Sequence, residues 1–370
     1  LRLTYLSIKI AVSVKSRTEF LYYKEIKNTM KKVGILVGRE KSFPESIIKT
    51  INERGHGEVV AEMVKVGGIP LNQEKRYDII IDRISHEVPY YRAMLKRMAL
   101  EGTYVINNPF WWSADDKFFN YSLASKLGVA IPKTVLLPQH DYIPDISSES
   151  LRNLEFPIDW QGIADYVGFP AFLKPHDGGG WKMVTKVNSI EQLLYHYNQT
   201  GTRCMVLQEA IEYDKFVRCY CIGQKNVLIM PYDPSKPYLS GQQYLNIENY
   251  LSPELSARVE EDVIKICHAL GYDINTVEFA IKDGVPYAID FMNPAPDAEL
   301  ASVGEFNHNW FVNAVADFVF EKLSSEIKQP EYRWLSLLNG NNGNAVQKKK
   351  LKTKNTTNKT KSEKKKQTKK

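Results

Sequence analysis

The chain is poor in the features that staple, anchor or repeat a fold. Its 370 residues include four cysteines, Cys204, Cys219, Cys221 and Cys267, whose spacing fits neither a disulfide framework nor a zinc site. Reduced core thiols are expected instead. Cys219 and Cys221, two apart in an apolar run, should share one face of a strand. Such cysteine usage suits a cytoplasmic protein. No apolar run approaches the roughly 20 residues that cross a bilayer, and Leu3 to Val14, broken by Lys9, makes a poor signal peptide. A membrane partner is therefore not expected. Ser-His-Asp and Cys-His signatures are absent, and so are internal repeats.

Acidic residues are scarce only at the two ends. Residues 347–370 hold twelve Lys against one Glu, residues 1–29 hold six Lys or Arg against two Glu, and residues 30–346 are net −9. The overall charge of +6 thus says nothing about the core, and nucleic acid is not its implied substrate. The lysine tail has no aromatic residues for base stacking. It reads as a disordered, solubilising end over about 331–370, with salt-sensitive contact to nucleic acid as the weaker alternative. Residues 1–30, ending at Met30 before a clean strand, read as an N-terminal extension.

What is present is an alternation of strands and helices. Val33 to Val37 reads as a buried strand. Ser42-Phe43-Pro44-Glu45 reads as a capping box opening a helix to about Arg54. Tyr77 to Asp82 is a second strand, a helix runs from about Pro89 to Gly102, and Tyr104 to Ile106 is a third strand. This pattern predicts a small parallel-sheet α/β domain over 31–108. Ser113-Ala114-Asp115-Asp116 then caps a helix that ends at Gly128. Pro138 to Pro157 reads as a surface excursion. Short strands are expected at 171–174, 183–187, 204–208, 216–222 and 226–230, with a helix near 189–198. A further helix starts at Ser252-Pro253 and stops at Gly271. An acidic hairpin follows, then a helix from about Asn309 to Leu323. The second region, 109–330, divides near 209 into two α+β parts.

The chemistry-bearing residues come in a definite order. Lys117 stands in the first turn of its helix, where a free lysine is mildly unfavourable and a bound anion would compensate; taken alone it reads as a surface lysine. Lys174 ends an apolar strand directly before Asp177-Gly178-Gly179-Gly180-Trp181, whose glycines would let backbone N–H groups approach phosphate oxygens. Without a ligand the same segment reads as a glycine hairpin. Gln208-Glu209 is either a linker that reads an adenine edge or an ordinary strand end. Arg218 lies inside an apolar strand, which calls for a phosphate, a carboxylate or a structural ion pair. Asp82-Arg83-Ile84-Ser85, at the end of a strand, is a candidate carboxylate contact or holds a structural ion pair.

The hairpin carries the most specific pattern. Glu278 and Asp290 flank the turn at Lys282-Asp283-Gly284. A three-residue loop with Gly284 left-handed would put both carboxylates on one face, whereas a two-residue loop would separate them. With Asn293 just beyond, two carboxylates and an amide oxygen would suit Mg²⁺.

This order resembles the ATP-grasp superfamily over about residues 31–325, in the style of its glutathione-synthetase-like members and ribosomal-protein glutamate ligases. The resemblance implies ATP and Mg²⁺ (or Mn²⁺) as cofactors. It implies that Lys117 and Lys174 touch the α- and β-phosphates and that loop 177–181 closes over the triphosphate. Glu209 and Ile211 would meet adenine beside Gln208, Glu212 or Asp214 would lie near the ribose, and Glu278, Asp290 and Asn293 would bind the metal. One departure stands out: the family's Glu-x-Asn is here Asp-x-x-Asn. Either a bulge turns Asn293 back, or only one of the two is a ligand.

The activity implied is an ADP-forming carboxylate–amine ligase acting through an acylphosphate, with Lys174 and Arg218 as catalytic residues and small-molecule or peptide substrates. A small-molecule kinase or a non-catalytic nucleotide-binding module are the alternatives.

Overall fold

Runs of aliphatic residues build the first sheet of the computed structural model, which describes residues 30–72, 76–237, 240–324 and residue 332. Residues 1–29 of the N-terminal extension and 333–370 of the basic tail read from the sequence lie outside the described residues. Lys31–Leu36 (β1), Val59–Met63 (β2), Ile79–Asp82 (β3) and Tyr104–Ile106 (β4) lie in the order β2-β1-β3-β4, every pair parallel. Ile79, Ile80 and Ile81 are all buried, as a sheet covered on both faces requires. The crossovers include Ser42–Gly55 (α1) and Pro89–Leu100 (α2). Strand β2 escaped the sequence reading because its five residues include a half-buried Glu62 and an exposed Met63.

Helix α1 starts differently from its sequence signature. No side chain of its own first turn caps it. Glu299 does so from 257 residues away, accepting hydrogen bonds from the backbone N–H of Lys41, Ser42 and Phe43 at 3.0, 3.2 and 3.1 Å. The Ser42 hydroxyl meanwhile accepts from the Leu300 N–H. Burial pushes the Glu299 carboxyl up, but these donors overcome it and hold it below its ordinary value. Glu299→Ala is expected to cost about 1–2 kcal/mol, read as a lower midpoint in urea. The depressed value means this contribution is present above the unfolded carboxyl pKa and is lost as pH falls through the folded one.

Lys117–Lys126 (α3) leads into a second sheet, formed by Thr134–Leu137 (β5), Ala171–Pro175 (β6), Thr185–Val187 (β7) and Met205–Glu209 (β8). Its order is β5-β8-β6-β7, all antiparallel. Trp160–Val167 (α4) and Ile190–Tyr197 (α5) contribute Val167 and Leu193 to its core, against Leu137, Leu173 and Leu207. The excursion from 138 to 157 contains no helix or strand.

The third sheet is Lys215–Ile222 (β9), Asn226–Pro231 (β10), Ile274–Lys282 (β11) and Val285–Asp290 (β12), in the antiparallel order β10-β9-β11-β12. Alternation decides its two faces. Val217, Cys219, Cys221, Val277 and Phe279 bury against Pro253–Leu270 (α6), with Cys267 in the same core. The expected shared face of Cys219 and Cys221 is present, and all four cysteines are free thiols. Arg218, Thr276 and Glu278 occupy the opposite face and line a cleft.

Leu300–Val303 (α7) and Glu305–Ser324 (α8) return the chain to the first sheet. Helix α8 begins at Glu305 rather than near Asn309, and its Phe311 meets Phe43 of α1 edge-on with centroids 5.1 Å apart. Among the described residues, no helix is long and apolar enough to cross a membrane.

Candidate active site

The β11–β12 hairpin decides where the acids point. Lys282 pairs with Val285, so the turn has two residues, Asp283 and Gly284, both left-handed at φ 50° and 74°. This suits the strands' twist and corrects the three-residue loop on which the shared face was expected to depend. With regular pairing, Glu278 would face Ile289 and Asp290 would lie on the other side. A β-bulge intervenes: Phe279 pairs with Ala288, but Glu278 pairs with Asp290. Ile289 is the extra residue, and it returns the two carboxylates to one cleft. The bulge thus sits before Asp290, not between Asp290 and Asn293. Beyond it, Asn293 gives its amide N–H to the Thr276 hydroxyl at 2.5 Å, which leaves its oxygen as the atom available to a cation.

Two lysines approach from the opposite wall. Lys117 is buried and its Nζ donates to Asp290 Oδ1 at 2.8 Å. Its position is set by Asp116, which caps α3 through Phe119 N–H, and by its own backbone N–H on the His176 carbonyl at 2.7 Å. Lys174 is equally buried at the end of β6. Its Nζ donates to the Tyr121 hydroxyl and Gln208 Oε1, each at 2.8 Å, and to the Ile289 carbonyl at 3.4 Å. All three acceptors are neutral. Burial, then the neighbouring charge of Lys117, pushes the Lys174 amine down to about 7, against the pull of Asp290 and Glu278.

Tyr121, on the same helix as Lys117, is a polar hub. Its hydroxyl donates to the bulged Ile289 carbonyl at 2.8 Å while accepting from Lys174. The available signal was its place four residues after Lys117, on the same helix face. Tyr121→Phe leaves a buried carbonyl and a buried ammonium each short of a partner. A loss of about 1–3 kcal/mol in unfolding free energy is expected, measured by denaturant titration.

The glycine loop forms the roof of the cleft. Gly178 and Gly180 take φ of 79° and 69°, which favours glycine there, and a Cβ at any of the three glycines would meet no atom within 4 Å. Asp177, Trp181 and Lys182 line the cleft beside them. Across from them, Arg218 Nε lies 3.5 Å from Glu278 Oε1 without a hydrogen-bond partner of its own, and Nη1 donates to the Tyr244 hydroxyl at 3.2 Å. The open cleft brings together Lys117, Lys174, residues 177–181, Gln208, Arg218, Glu278, Asp290 and Asn293. Thr276, Tyr232 and Asp297 also line it, unforeseen from the sequence.

Four residues assigned to the nucleotide by resemblance do not line this cleft. Glu209 accepts from the Lys133 backbone N–H at 3.2 Å. Ile211 packs against the cluster of Phe216, Tyr232 and Ala280. Glu212 is exposed, and Asp214 accepts from the Asp283 backbone N–H in the hairpin turn. Arg83 does not line the cleft either, and its buried Nη1 has no hydrogen-bond partner. The residue pairs with Glu40, donates to the Pro296 carbonyl and lies over the Phe43 ring.

The residues present fit a polyphosphate with a divalent cation. The buried Lys174 ammonium has only neutral acceptors, and the buried Arg218 Nε, although 3.5 Å from Glu278, has no hydrogen-bond partner. The acids show the complementary deficit. Burial and the charge of Asp290 raise the Glu278 carboxyl despite Arg218. Burial alone would raise Asp290 too, but Lys117 and Lys174 hold it low. Among the described residues no cluster of three His, Cys, Asp or Glu could hold a metal unaided. A cation there needs further oxygens, and phosphates would supply them.

No family model matches the chain. A parallel-sheet domain followed by two antiparallel sheets that enclose such a cleft is the ATP-grasp fold, as comparison with solved structures shows. D-alanine–D-alanine ligase from Bacillus anthracis, complexed with ATP, aligns over 82% of this chain and 100% of its own, with a TM-score of 0.53 and 18% identity. A RimK domain ATP-grasp protein from Sphaerobacter thermophilus aligns over 78% and 99%, with a TM-score of 0.54 and 17% identity. In sequence, a D-alanine–D-alanine ligase of Polynucleobacter asymbioticus is 25% identical over 201 residues, half of this chain and 59% of that protein's length. The chain thus matches less than two thirds of its curated relatives' length.

Proposed function

We propose that the protein is an ADP-forming carboxylate–amine ligase with ATP as a substrate and Mg²⁺, or Mn²⁺, as its cofactor. The observation that carries this reading is the convergence of Lys117, Lys174 and Arg218 with Glu278 and Asp290 on one cleft beneath a glycine loop. Sequence likeness to D-alanine–D-alanine ligases supports the same class. Residues 31–108 would form the pre-ATP-grasp domain and 109–330 the nucleotide region, divided near 209. Three buried free thiols fit work in the cytoplasm.

In this reading a substrate carboxylate oxygen attacks the terminal phosphorus of ATP, the bond to ADP breaks, and an acylphosphate forms. An amine nitrogen then attacks the acyl carbon, loses a proton, and displaces inorganic phosphate to leave an amide. Lys117 and Lys174 hold the phosphates, and Arg218 steadies negative charge on the acylphosphate and the tetrahedral intermediate. Glu278, Asp290 and Asn293 would hold the magnesium, which neutralises phosphate charge during transfer. Gln208, hydrogen-bonded to both Lys174 and Thr134, keeps the Lys174 ammonium in place. Gly178, Gly179 and Gly180 would present backbone N–H groups to the triphosphate, with Asp177 and Trp181 beside them. Glu209 and Ile211 would meet adenine, with Glu212 or Asp214 near the ribose.

The test is ADP release from Mg-ATP across pairs of carboxylates and amines, including short peptides. A ligase forms an amide in step with ADP and frees phosphate only when the amine is present. A stable phosphorylated product made without any amine would move the protein to the kinase class.

A further inference from the structure

Arg218 meets the transferred phosphoryl group in the ligase reading, yet its acidic neighbour holds it loosely. The residue is buried, and its Nε stands 3.5 Å from Glu278 without a hydrogen bond. Glu278 would share its charge with a cation once one is bound, which weakens that ion pair further. A firmer hold comes from Tyr244. Arg218 Nη1 donates to the Tyr244 hydroxyl at 3.2 Å, and the guanidinium carbon lies 5.5 Å from the centre of the Tyr232 ring. The two tyrosines meet edge-on with centroids 5.2 Å apart. Backbone contacts fix the pair. Tyr232 and Tyr244 form an antiparallel bridge, flanked by Asp233 N–H on the Gln243 carbonyl at 2.8 Å and Leu245 N–H on the Pro231 carbonyl at 3.0 Å. Gly241, at φ 73°, lets the same segment approach α7 closely, since a Cβ there would lie 2.7 Å from the Ala301 carbonyl oxygen. Tyr244 is half-buried, packs against the cluster of Phe216, Tyr232 and Ala280, and does not itself line the cleft.

We propose that Tyr244 is a positioning residue for Arg218, its hydroxyl aiming the guanidinium at the phosphoryl group that ATP gives up. The inference rests on the ligase reading, in which Arg218 steadies that group. An arginine on a strand has several rotatable bonds, and a site acts best through donors fixed before the ligand arrives. A hydroxyl suits the task because it is neutral and accepts equally well with or without nucleotide. A carboxylate shared with a cation holds a guanidinium less firmly. Tyr244 acts only through Arg218, so its effect should appear with a nucleotide that carries the terminal phosphate and not with ADP.

The experiment measures, by calorimetry on the full-length protein, the affinities for Mg-ADP and for the magnesium complex of a non-hydrolysable β,γ-imido ATP analogue. Tyr244→Phe keeps the ring against Tyr232 and removes the hydroxyl. It is expected to weaken analogue binding by about fivefold or more, the scale of losing a hydrogen bond to a charged group. Affinity for ADP should stay within about twofold of the parent, because ADP lacks the group that the aimed guanidinium meets. In an Arg218→Lys background the same substitution should change analogue affinity by less than about twofold, since a contact already removed cannot be lost again. A merely structural role for Tyr244 would lower both affinities together. Equal losses for the two nucleotides, no loss for the analogue, or a full loss that persists in the Arg218→Lys background overturns the proposal and leaves the nucleotide reading standing. If the Arg218→Lys protein does not fold, the contrast between ADP and the analogue decides alone. Failure of the analogue to bind the parent protein removes the ligase reading, and this inference falls with it.

Discussion

Lys174→Ala is expected to reduce ATP turnover by at least about 10²–10³-fold, the usual consequence of removing one preorganised charge from a phosphoryl-transfer site. The protein should remain folded, since Gln208 keeps its bond to Thr134 and Tyr121 keeps its bond to the Ile289 carbonyl. Circular dichroism and a steady-state ADP assay decide both points. Full activity in the variant would refute the assignment of this cleft.

The pH dependence of the same lysine is unusual in having two signs. Its folded value is about 7, so phosphate binding should be strongest below neutrality and weaken as the ammonium loses its proton. Stability of the free protein runs the other way. The unfolded lysine titrates near 10.4, and between about 7 and 10.4 the unfolded chain binds the extra proton, so folding stability rises with pH. Nucleotide affinity and unfolding free energy, each measured from pH 6 to 9, should therefore move in opposite directions. Lys174→Met should flatten both curves.

The second large effect is expected at Glu278. Glu278→Gln keeps the shape and a hydrogen-bonding side chain beside Arg218 but removes the charge. Turnover should fall on the order of 10²–10³-fold, with a higher magnesium concentration needed for half-maximal rate. The alanine variant would be less clean. It leaves Arg218 buried without its ion-pair partner, and an uncompensated buried charge is destabilising by about 3–5 kcal/mol. An unchanged magnesium requirement in Glu278→Gln would remove Glu278 from the metal site.

Local chemistry made much of the architecture legible. Aliphatic runs at Ile79 to Ile81 and Tyr104 to Ile106 announce buried parallel strands. Ser252-Pro253 and Gly271 bracket α6, where Ser252 caps and Gly271 is left-handed. The order of Lys117, Lys174, Arg218, Glu278 and Asp290 was readable through its resemblance to the ATP-grasp pattern, and Arg218 and Asp290 also because a charge in an apolar strand calls for a partner. Each local signal lies within a few residues of its cause.

What only the tertiary structure decided were the features whose causes lie far away in the chain. Glu299 caps α1 across 257 residues, so Ser42 and Glu45 form no capping box. Arg83 is occupied by Glu40 and the Pro296 carbonyl. The two-residue turn, read locally, would have separated Glu278 from Asp290; the bulge at Ile289 brings them together. The carbonyl it turns aside is held by Tyr121, a residue from α3. By itself the chain determined that Arg218 and Asp290 sit within apolar strands and call for partners, because that follows from the residues flanking them. The fold decided which of those charges meet, because a one-residue shift in strand pairing reverses every side chain and no local pattern records it.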